Sequence, residues 1–429
     1  MNQEYRRSPA VTEAEVEAIV RRVLAARSGS RAETAGPRES AEPEGYRIQA
    51  VKTGFFGRGS VRMLGPEVAK LGARRALIVT DGFLAGSGAA DRVRAVLEAS
   101  GLRCDLFAGV QPNPTVQVVE DCIGQARACG AEVLVAVGGG SAIDTAKAAS
   151  IVLANGGRVE DYEGVGRSRK PGIPVAAVNT TAGTGSECTA FYIVTDPSRG
   201  SKMAMIDPNC MVAVAVNDID FMISMPPKLT AATGMDALTH AIEAACASGA
   251  NPYTDHDAYW AITAVTRFLP RAVRDGNDLE AREMMAYAEN IAGMAFSNAG
   301  LGMVHAMAHA LGGHSNLPHG VCNAVLLPFV LDFHCRDARL RARLTRVAEA
   351  MELPERSPEA VVRRTRAMAE ELGIPVTLRE AAEGRLTPEA FPALADLALR
   401  DSCMATNLIT PSRQEVIDTY QRAWDGRLL

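Results

Sequence analysis

Val133-Leu134-Val135-Ala136-Val137-Gly138-Gly139-Gly140-Ser141 is a run of five apolar residues that passes directly into three glycines and a serine, after which Ala142 to Leu153 reads as a helix. A short, unbroken apolar run bounded by glycine reads as a strand buried on both faces, as in a parallel sheet. Strand, glycine turn and helix N-terminus together make an anion site. Glycine lets the backbone approach a phosphate, and the free N–H groups and dipole of the helix stabilise its charge. A pyrophosphate fits there. The segment is not the GxGxxG fingerprint, so its weight comes from what surrounds it.

Upstream, Arg75-Ala-Leu-Ile-Val-Thr-Asp81 reads as a second buried strand that ends in a carboxylate. Downstream, the strand Pro174-Val-Ala-Ala-Val-Asn179 leads into Thr180-Thr181-Ala-Gly183-Thr184-Gly185-Ser186-Glu187, a loop with four hydroxyls and two glycines. Hydroxyl-rich loops at the C-terminal ends of parallel strands are where open α/β sheets bind ligands, so the two loops together point to a nucleotide. Asp81 is placed to accept hydrogen bonds from ribose hydroxyls and to repel a 2′-phosphate, which favours NAD over NADP. Residues 46–225 are therefore expected to form an α/β dinucleotide-binding domain, a parallel sheet with helices on both faces. Gly164-Val165-Gly166 reads as a surface turn without a role.

From Pro226 the strand signals fade. Helical patterns run over Leu229 to Ala247, Tyr253 to Leu269, Leu279 to Ser297 and Gly302 to Leu311, so residues 226–429 are expected to form an all-helical domain. Four of the seven histidines fall inside fifteen residues, His305, His309, His314 and His319, and Asp236 and His240 lie upstream. Asp236/His240 and His305/His309 have the i, i+4 spacing that puts both side chains on one helix face. Histidine and carboxylate are ligands for Zn²⁺ and Fe²⁺, so this half reads as a metal site between two helices. Spacing alone leaves open which histidines bind. His256 in Thr254-Asp-His-Asp257 is expected in a helix's first turn, and His314 in a loop.

The 429 residues suit two domains and a short appendage, and 45 basic against 50 acidic residues show no basic stripe that would suit nucleic acid. Nine scattered cysteines without a CxxC fit free thiols in a reducing cytoplasm. No apolar run approaches the ~18 residues of a membrane helix, so no membrane partner is expected.

Residues 1–45 have their own logic. Val16, Ile19, Val20, Val23 and Leu24 recur with helical spacing over residues 12–27. Thr12 and Glu15 have capping-box spacing, and Gly29 is placed to close the helix. Ser28 to Gly45 holds no aliphatic residue larger than alanine and reads as a flexible linker. A tethered amphipathic helix of this form resembles the encapsulation peptides that dock enzymes to shell proteins of bacterial microcompartments.

Gly234-Met-Asp236-Ala-Leu-Thr-His240-Ala-Ile-Glu243, His305-xxx-His309-Ala-Leu-Gly and Pro318-His319-Gly320 resemble the iron-containing, or group III, alcohol dehydrogenase family. The Gly-Gly-Gly-Ser, Thr-Thr-Ala-Gly-Thr-Gly-Ser-Glu and Pro112-Asn113-Pro114-Thr115 segments match its cofactor half. The resemblance covers residue 46 to the C-terminus. It implies a divalent metal, Fe²⁺ with Zn²⁺ as an alternative, held by Asp236, His240, His305 and His319, with His309 left free as the catalytic proton relay. For NAD it implies Asp81, Asn113, Gly139, Gly140, Ser141, Asp144, Thr180, Thr181, Thr184 and Lys202. Family members are commonly dimers or larger, so a homo-oligomer is expected.

The reaction implied is reversible hydride transfer between NAD(H) and a small aldehyde or alcohol of acetaldehyde or propionaldehyde size. If residues 12–27 target a microcompartment, aldehyde reduction there regenerates NAD⁺. Rival readings are a dehydroquinate synthase-like lyase, glycerol dehydrogenase-like chemistry, and a cytosolic enzyme whose N-terminal helix only makes oligomer contacts. The lyase needs lysine and arginine around the metal, whereas Ala306-Met-Ala308 and Gly300-Leu-Gly-Met303 surround these motifs.

Overall fold

The computed structural model describes residues 45–428, and the helix expected at residues 12–27 with its linker lies outside the described residues. Strands come first: β1 (Thr53–Phe56), β2 (Arg75–Asp81), β3 (Arg103–Val110), β4 (Val133–Gly138), β5 (Gly164–Val165), β6 (Val175–Asn179), β7 (Phe191–Asp196), β8 (Ser201–Ile206) and β9 (Val214–Asn217). Between them run α1 (Leu64–Ala69), α2 (Gly82–Gly86), α3 (Ala89–Ala99), α4 (Val116–Cys129) and α5 (Gly140–Asn155).

Six strands form one all-parallel sheet in the order β1-β9-β6-β4-β2-β3. Successive residues of each strand point to opposite cores. Ile78, Val135 and Val178 pack with Leu64 of α1 and Val93 and Leu97 of α3. Val79, Leu134 and Ala177 pack with Val119 of α4 and Ile143 of α5. Each such Val, Leu or Ile contributes about 1.5–3 kcal/mol when fully buried. Cover on both faces is why β2 and β4 read as continuous apolar runs, and it holds the strand ends rigid. From β2 the chain steps to β3 on one side and returns to β4 on the other. The end of β4, with its glycine turn, therefore lies at the point where strand order reverses, which is where open α/β sheets take ligands.

A smaller sheet, β5-β8-β7, was not legible as such in the sequence. β7 and β8 pair antiparallel, and Gly164–Val165, expected as a surface turn, instead pairs in parallel with Met205 and Ile206 of β8. Two residues are too few to show a strand period, and their conformation follows from the hairpin edge beside them.

Beyond Asn217 the described residues are helical: α6 (Pro227–Cys246), α7 (Pro252–Arg274), α8 (Leu279–Ala299), α9 (Met303–Ser315), α10 (His319–His334) and five more, α11 (Ala338–Ala350) to α15 (Arg413–Asp425). α6 starts with proline at its first position, where a missing N–H costs nothing, and is buried along most of its length among α7, α8 and α10. α7 runs past Leu269, the expected end, and through Pro270, because the buried stripe of Val265, Phe268 and Leu269 continues beyond the proline at Ala272. α9 likewise extends to Ser315, so His314 sits in an exposed last helical turn rather than a loop. His256 is in the first turns of α7, as expected. No helix among the described residues is long and apolar enough to cross a membrane.

Candidate metal and cofactor site

Asp236 and His240 sit one turn apart on α6, His305 and His309 one turn apart on α9, and His319 opens α10. Asp236, His240, His305 and His309 are each at most 4 % exposed. Asp236 Oδ1 lies 3.7 Å from Nε2 of both His305 and His319 and 4.0 Å from Nε2 of His240. Ligand atoms about 2.1 Å from a tetrahedral ion stand about 3.4 Å apart, so Asp236, His305 and His319, whose ligand atoms all lie within 4.8 Å of one another, leave room for one divalent cation, with His240 beside Asp236.

The outer face of each ring fixes what the inner face offers. His240 Nδ1 is 3.2 Å from the carbonyl of Gly183, and His305 Nδ1 is 2.6 Å from Glu243 Oε2. With Nδ1–H donated outward, each Nε2 presents its lone pair to Asp236, the arrangement that orients metal-binding histidines. Asn323, one turn after His319, places a single amide nitrogen 2.6 Å from Asp236 Oδ1, 3.0 Å from His305 Nε2 and 3.2 Å from His319 Nε2. One amide has two hydrogens for these three acceptors, so their lone pairs converge on a place that positive charge would fill.

The electrostatics of the cluster make the same demand for positive charge. Burial alone would raise the Asp236 carboxyl, yet His240, His319 and His305 hold it well below the usual carboxylate range. Burial keeps His240 neutral down to about 4 and holds His319 well below its ordinary value. His305 goes the other way. Burial opposes its charge, but hydrogen bonds to Asp236 and Glu243 push it up to about 9.

His309 stands apart from this set. Its Nδ1 lies 2.9 Å from Asp401 Oδ2 and its ring stacks on His319 at 5.3 Å between centroids.

The glycine turn and the hydroxyl loop meet at the sheet's C-terminal edge. A Cβ on Gly139 would lie 2.7 Å from Thr181 Oγ1, and one on Gly140 would lie 3.0 Å from Thr184 Cγ2, so a side chain at either position would make the hydroxyl loop give way. No side chain caps the N-terminus of α5, leaving its first N–H groups free for an anion. Lys147, fully buried on α5, pins the loop from behind, donating to the carbonyls of Ser186, Thr189 and Phe191 at 2.5, 2.8 and 2.8 Å.

Of the expected cofactor residues, Asn113, Gly140, Ser141, Asp144, Thr184 and Lys202 line one cleft together with Asp236, His240, His305, His309 and His319. The cleft has about 130 Å³ of free space and is walled on the metal side by Phe191, Phe296 and Leu301. Asp81, Gly139, Thr180 and Thr181 lie at the strand ends outside its lining. Asp81 Oδ1 also caps α2, accepting the N–H of Leu84 at 2.8 Å. Both oxygens of Asp144 are engaged, by Ser186 Oγ at 2.7 Å and Ile193 N at 3.0 Å. Lys202 Nζ donates to Asn113 Oδ1 at 2.7 Å, and Asn113 Nδ2 donates to Asn316 Oδ1 at 3.2 Å, tying the cofactor half to the loop before His319.

Sequence reasoning missed Glu243, Asn323, Asp401 and Lys147. Glu243 and Asn323 carried a usable signal, lying three and four residues beyond His240 and His319 on the same helices. Asp401 carried none.

Residues 52–219 match the family model described as iron-containing alcohol dehydrogenase, and residues 230–424 the one described as Fe-containing alcohol dehydrogenase family, C-terminal. The chain belongs to the iron-containing alcohol dehydrogenase family. It is 45 % identical over 369 residues to alcohol dehydrogenase 4 of Schizosaccharomyces pombe, covering 86 % of this chain and 87 % of that one. It is 40 % identical over 373 residues to the NAD-dependent methanol dehydrogenase of Bacillus methanolicus, covering 86 % and 97 %. Among solved structures it is similar to a 1,3-propanediol oxidoreductase, with a TM-score of 0.84, 37 % identity, and coverage of 89 % of this chain and 100 % of that one.

Proposed function

We propose that this chain interconverts small aliphatic aldehydes and primary alcohols with NAD(H), using a divalent metal, Fe²⁺ in the first instance. One observation carries the reading: a single cleft holds both the glycine turn, through Gly140 and Ser141, and the converging Asp236, His240, His305 and His319. The bound metal supplies Lewis acidity to the carbonyl oxygen and the nicotinamide exchanges the hydride.

The chain's own residues do the rest. The free N-terminus of α5 and the Thr181/Thr184 loop hold the nucleotide, while Phe191, Phe296 and Leu301 exclude water and limit the substrate to a short chain. His309 presents Nε2, which makes no protein hydrogen bond among the described residues, to the substrate oxygen as the group that passes its proton. The dehydroquinate synthase-like alternative needs several cations around the substrate, but Lys202 is the one lysine or arginine lining the cleft among the described residues.

The same proposal includes a homo-oligomer in the cytoplasm and docking of residues 12–27 to a microcompartment shell protein, where aldehyde reduction returns NAD⁺ to an aldehyde-oxidising enzyme that consumes it. Its support is the capped, apolar-striped sequence of that segment.

The test is NADH oxidation by apo-protein reconstituted with Fe²⁺ or Zn²⁺ across aldehydes of two to four carbons. Turnover that disappears in His305→Ala supports the reading, and silence with every metal and aldehyde refutes it. Deleting residues 1–45 should leave turnover intact and end co-purification with shell proteins; continued co-purification would refute the targeting.

A further inference from the structure

His309 forms part of two cavities. One is the cleft just described. The other is a polar cavity of about 420 Å³, lined by Glu163, Arg199, Lys202, His309, Arg400 and Asp401 among others. His309 and Lys202 are common to both, so the imidazole stands as a partition between an apolar chamber and a wet one. Asp401 belongs only to the wet side, with a side chain 7 % exposed.

Asp401 is held at both oxygens. Oδ1 accepts the N–H of Cys403 at 2.8 Å, which fixes the carboxylate at the start of the turn Ser402–Thr406. Oδ2 faces His309 Nδ1 at 2.9 Å. A carboxylate here has only acceptors to offer, so Nδ1 must carry the hydrogen and Nε2 is left as the acceptor facing the cleft. An imidazole with no such partner could rotate about its ring bond or take the other tautomer, and either change would remove the Nε2 lone pair from the substrate.

We propose that Asp401 is the positioning residue of His309, fixing its ring and tautomer from the polar cavity so that Nε2 meets the substrate oxygen. The proposal rests on the dehydrogenase reading above and adds a residue to it. Because the polar cavity reaches Asp401, it also admits a small carboxylate from solvent when the Asp401 side chain is removed.

The experiment compares Asp401→Ala, Asp401→Asn, His309→Ala and the parent enzyme, all metal-loaded, with and without added formate. Asp401→Ala should lose kcat by roughly 10²-fold, a typical share for a positioned acid–base group, with KM for NADH and bound metal changed less than about threefold. Formate should restore kcat of Asp401→Ala by about tenfold or more and leave Asp401→Asn unrescued, since the amide still fills the place. Asp401→Asn keeps the shape of the side chain, so its loss of kcat at unchanged thermal stability supports positioning even if the alanine variant folds poorly. Parent-like kcat in Asp401→Asn, or a folded Asp401→Ala that formate does not rescue, overturns the proposal. Full activity in His309→Ala instead overturns the assignment of His309 itself, and the two failures are separable.

Discussion

Glu243 and His305 are joined twice: Oε2 of the carboxylate lies 2.6 Å from the ring's Nδ1 and 3.3 Å from the same residue's backbone N–H. The other oxygen accepts the N–H of Val304 at 2.7 Å. One carboxylate thus orients a ligand imidazole and caps the first turn of α9, whose N-cap, Gly302, has no side chain to do so. A Cβ on Gly302 would lie 2.6 Å from Asn407 Oδ1 and 3.0 Å from Glu243 Oε1, so a side chain there would crowd both.

Replacing the carboxylate by an amide, Glu243→Gln, should weaken metal binding by about 10–100-fold, the usual effect of losing a partner behind a ligand histidine. Competition with a chelator, read as retained metal per chain, checks this. Glu243→Ala should also lower the thermal midpoint, because the cap is lost as well; Glu243→Gln with parent-like metal retention would show that the contact does not tune the site.

Lys147→Met removes the ammonium from the carbonyls of Ser186, Thr189 and Phe191, leaving Ser186 only its longer bonds from Thr189, and removes a positive charge that favours the Asp144 carboxylate. The expected cost is about 1–3 kcal/mol for each buried carbonyl left unpaired. Because the pinned segment Ser186–Phe191 lines the cleft, KM for NADH should rise while metal content stays constant. Chemical denaturation and an NADH titration read the two effects separately. A variant with weakened metal binding and an unchanged KM would contradict this account of the loop.

His334 is 2 % exposed, neither ring nitrogen has a hydrogen-bond partner among the described residues, and burial lowers its pKa from 6.5 to about 4, with Glu243, Arg336 and Asp337 as lesser influences. Between these values the unfolded chain binds a proton that the fold refuses, so stability rises with pH there and falls as pH drops from 6.5 towards 4. The full loss is about 3 kcal/mol, and below pH 4 the contribution is flat. His334→Phe should flatten the pH dependence of the thermal midpoint by this amount relative to the parent. An unchanged acid slope would place its origin elsewhere.

The parallel sheet was legible because β2, β4 and β6 are buried on both faces, which forces apolar runs ending in glycine or polar turns. The clustering of these side chains was legible because helical spacing pairs Asp236 with His240 and His305 with His309, whereas the division of proposed ligands from His309 rested on the family resemblance. What escaped depends on distant pairing. The β7/β8 hairpin was hidden because Phe191, Ile193 and Thr195 face the cleft rather than a core, blurring the alternation. Asp401 meets His309 across 92 positions of chain, and nothing local to Asp401 marks it. Pro270 misled the reading of α7 because the value of continued burial is visible only once its neighbours are in place.

The hydrogen bond from His240 to the carbonyl of Gly183 has a consequence of its own. Gly183 belongs to the loop expected to hold the nucleotide, so the proposed ligand of the ion and the proposed cradle of the nucleotide share one piece of backbone. Two guests that lean on a common support cannot bind independently: whatever factor the nucleotide applies to the ion's affinity, the ion must return to the nucleotide. The order in which a newly made chain acquires its two guests would then alter the route to the finished enzyme and leave the end point unchanged.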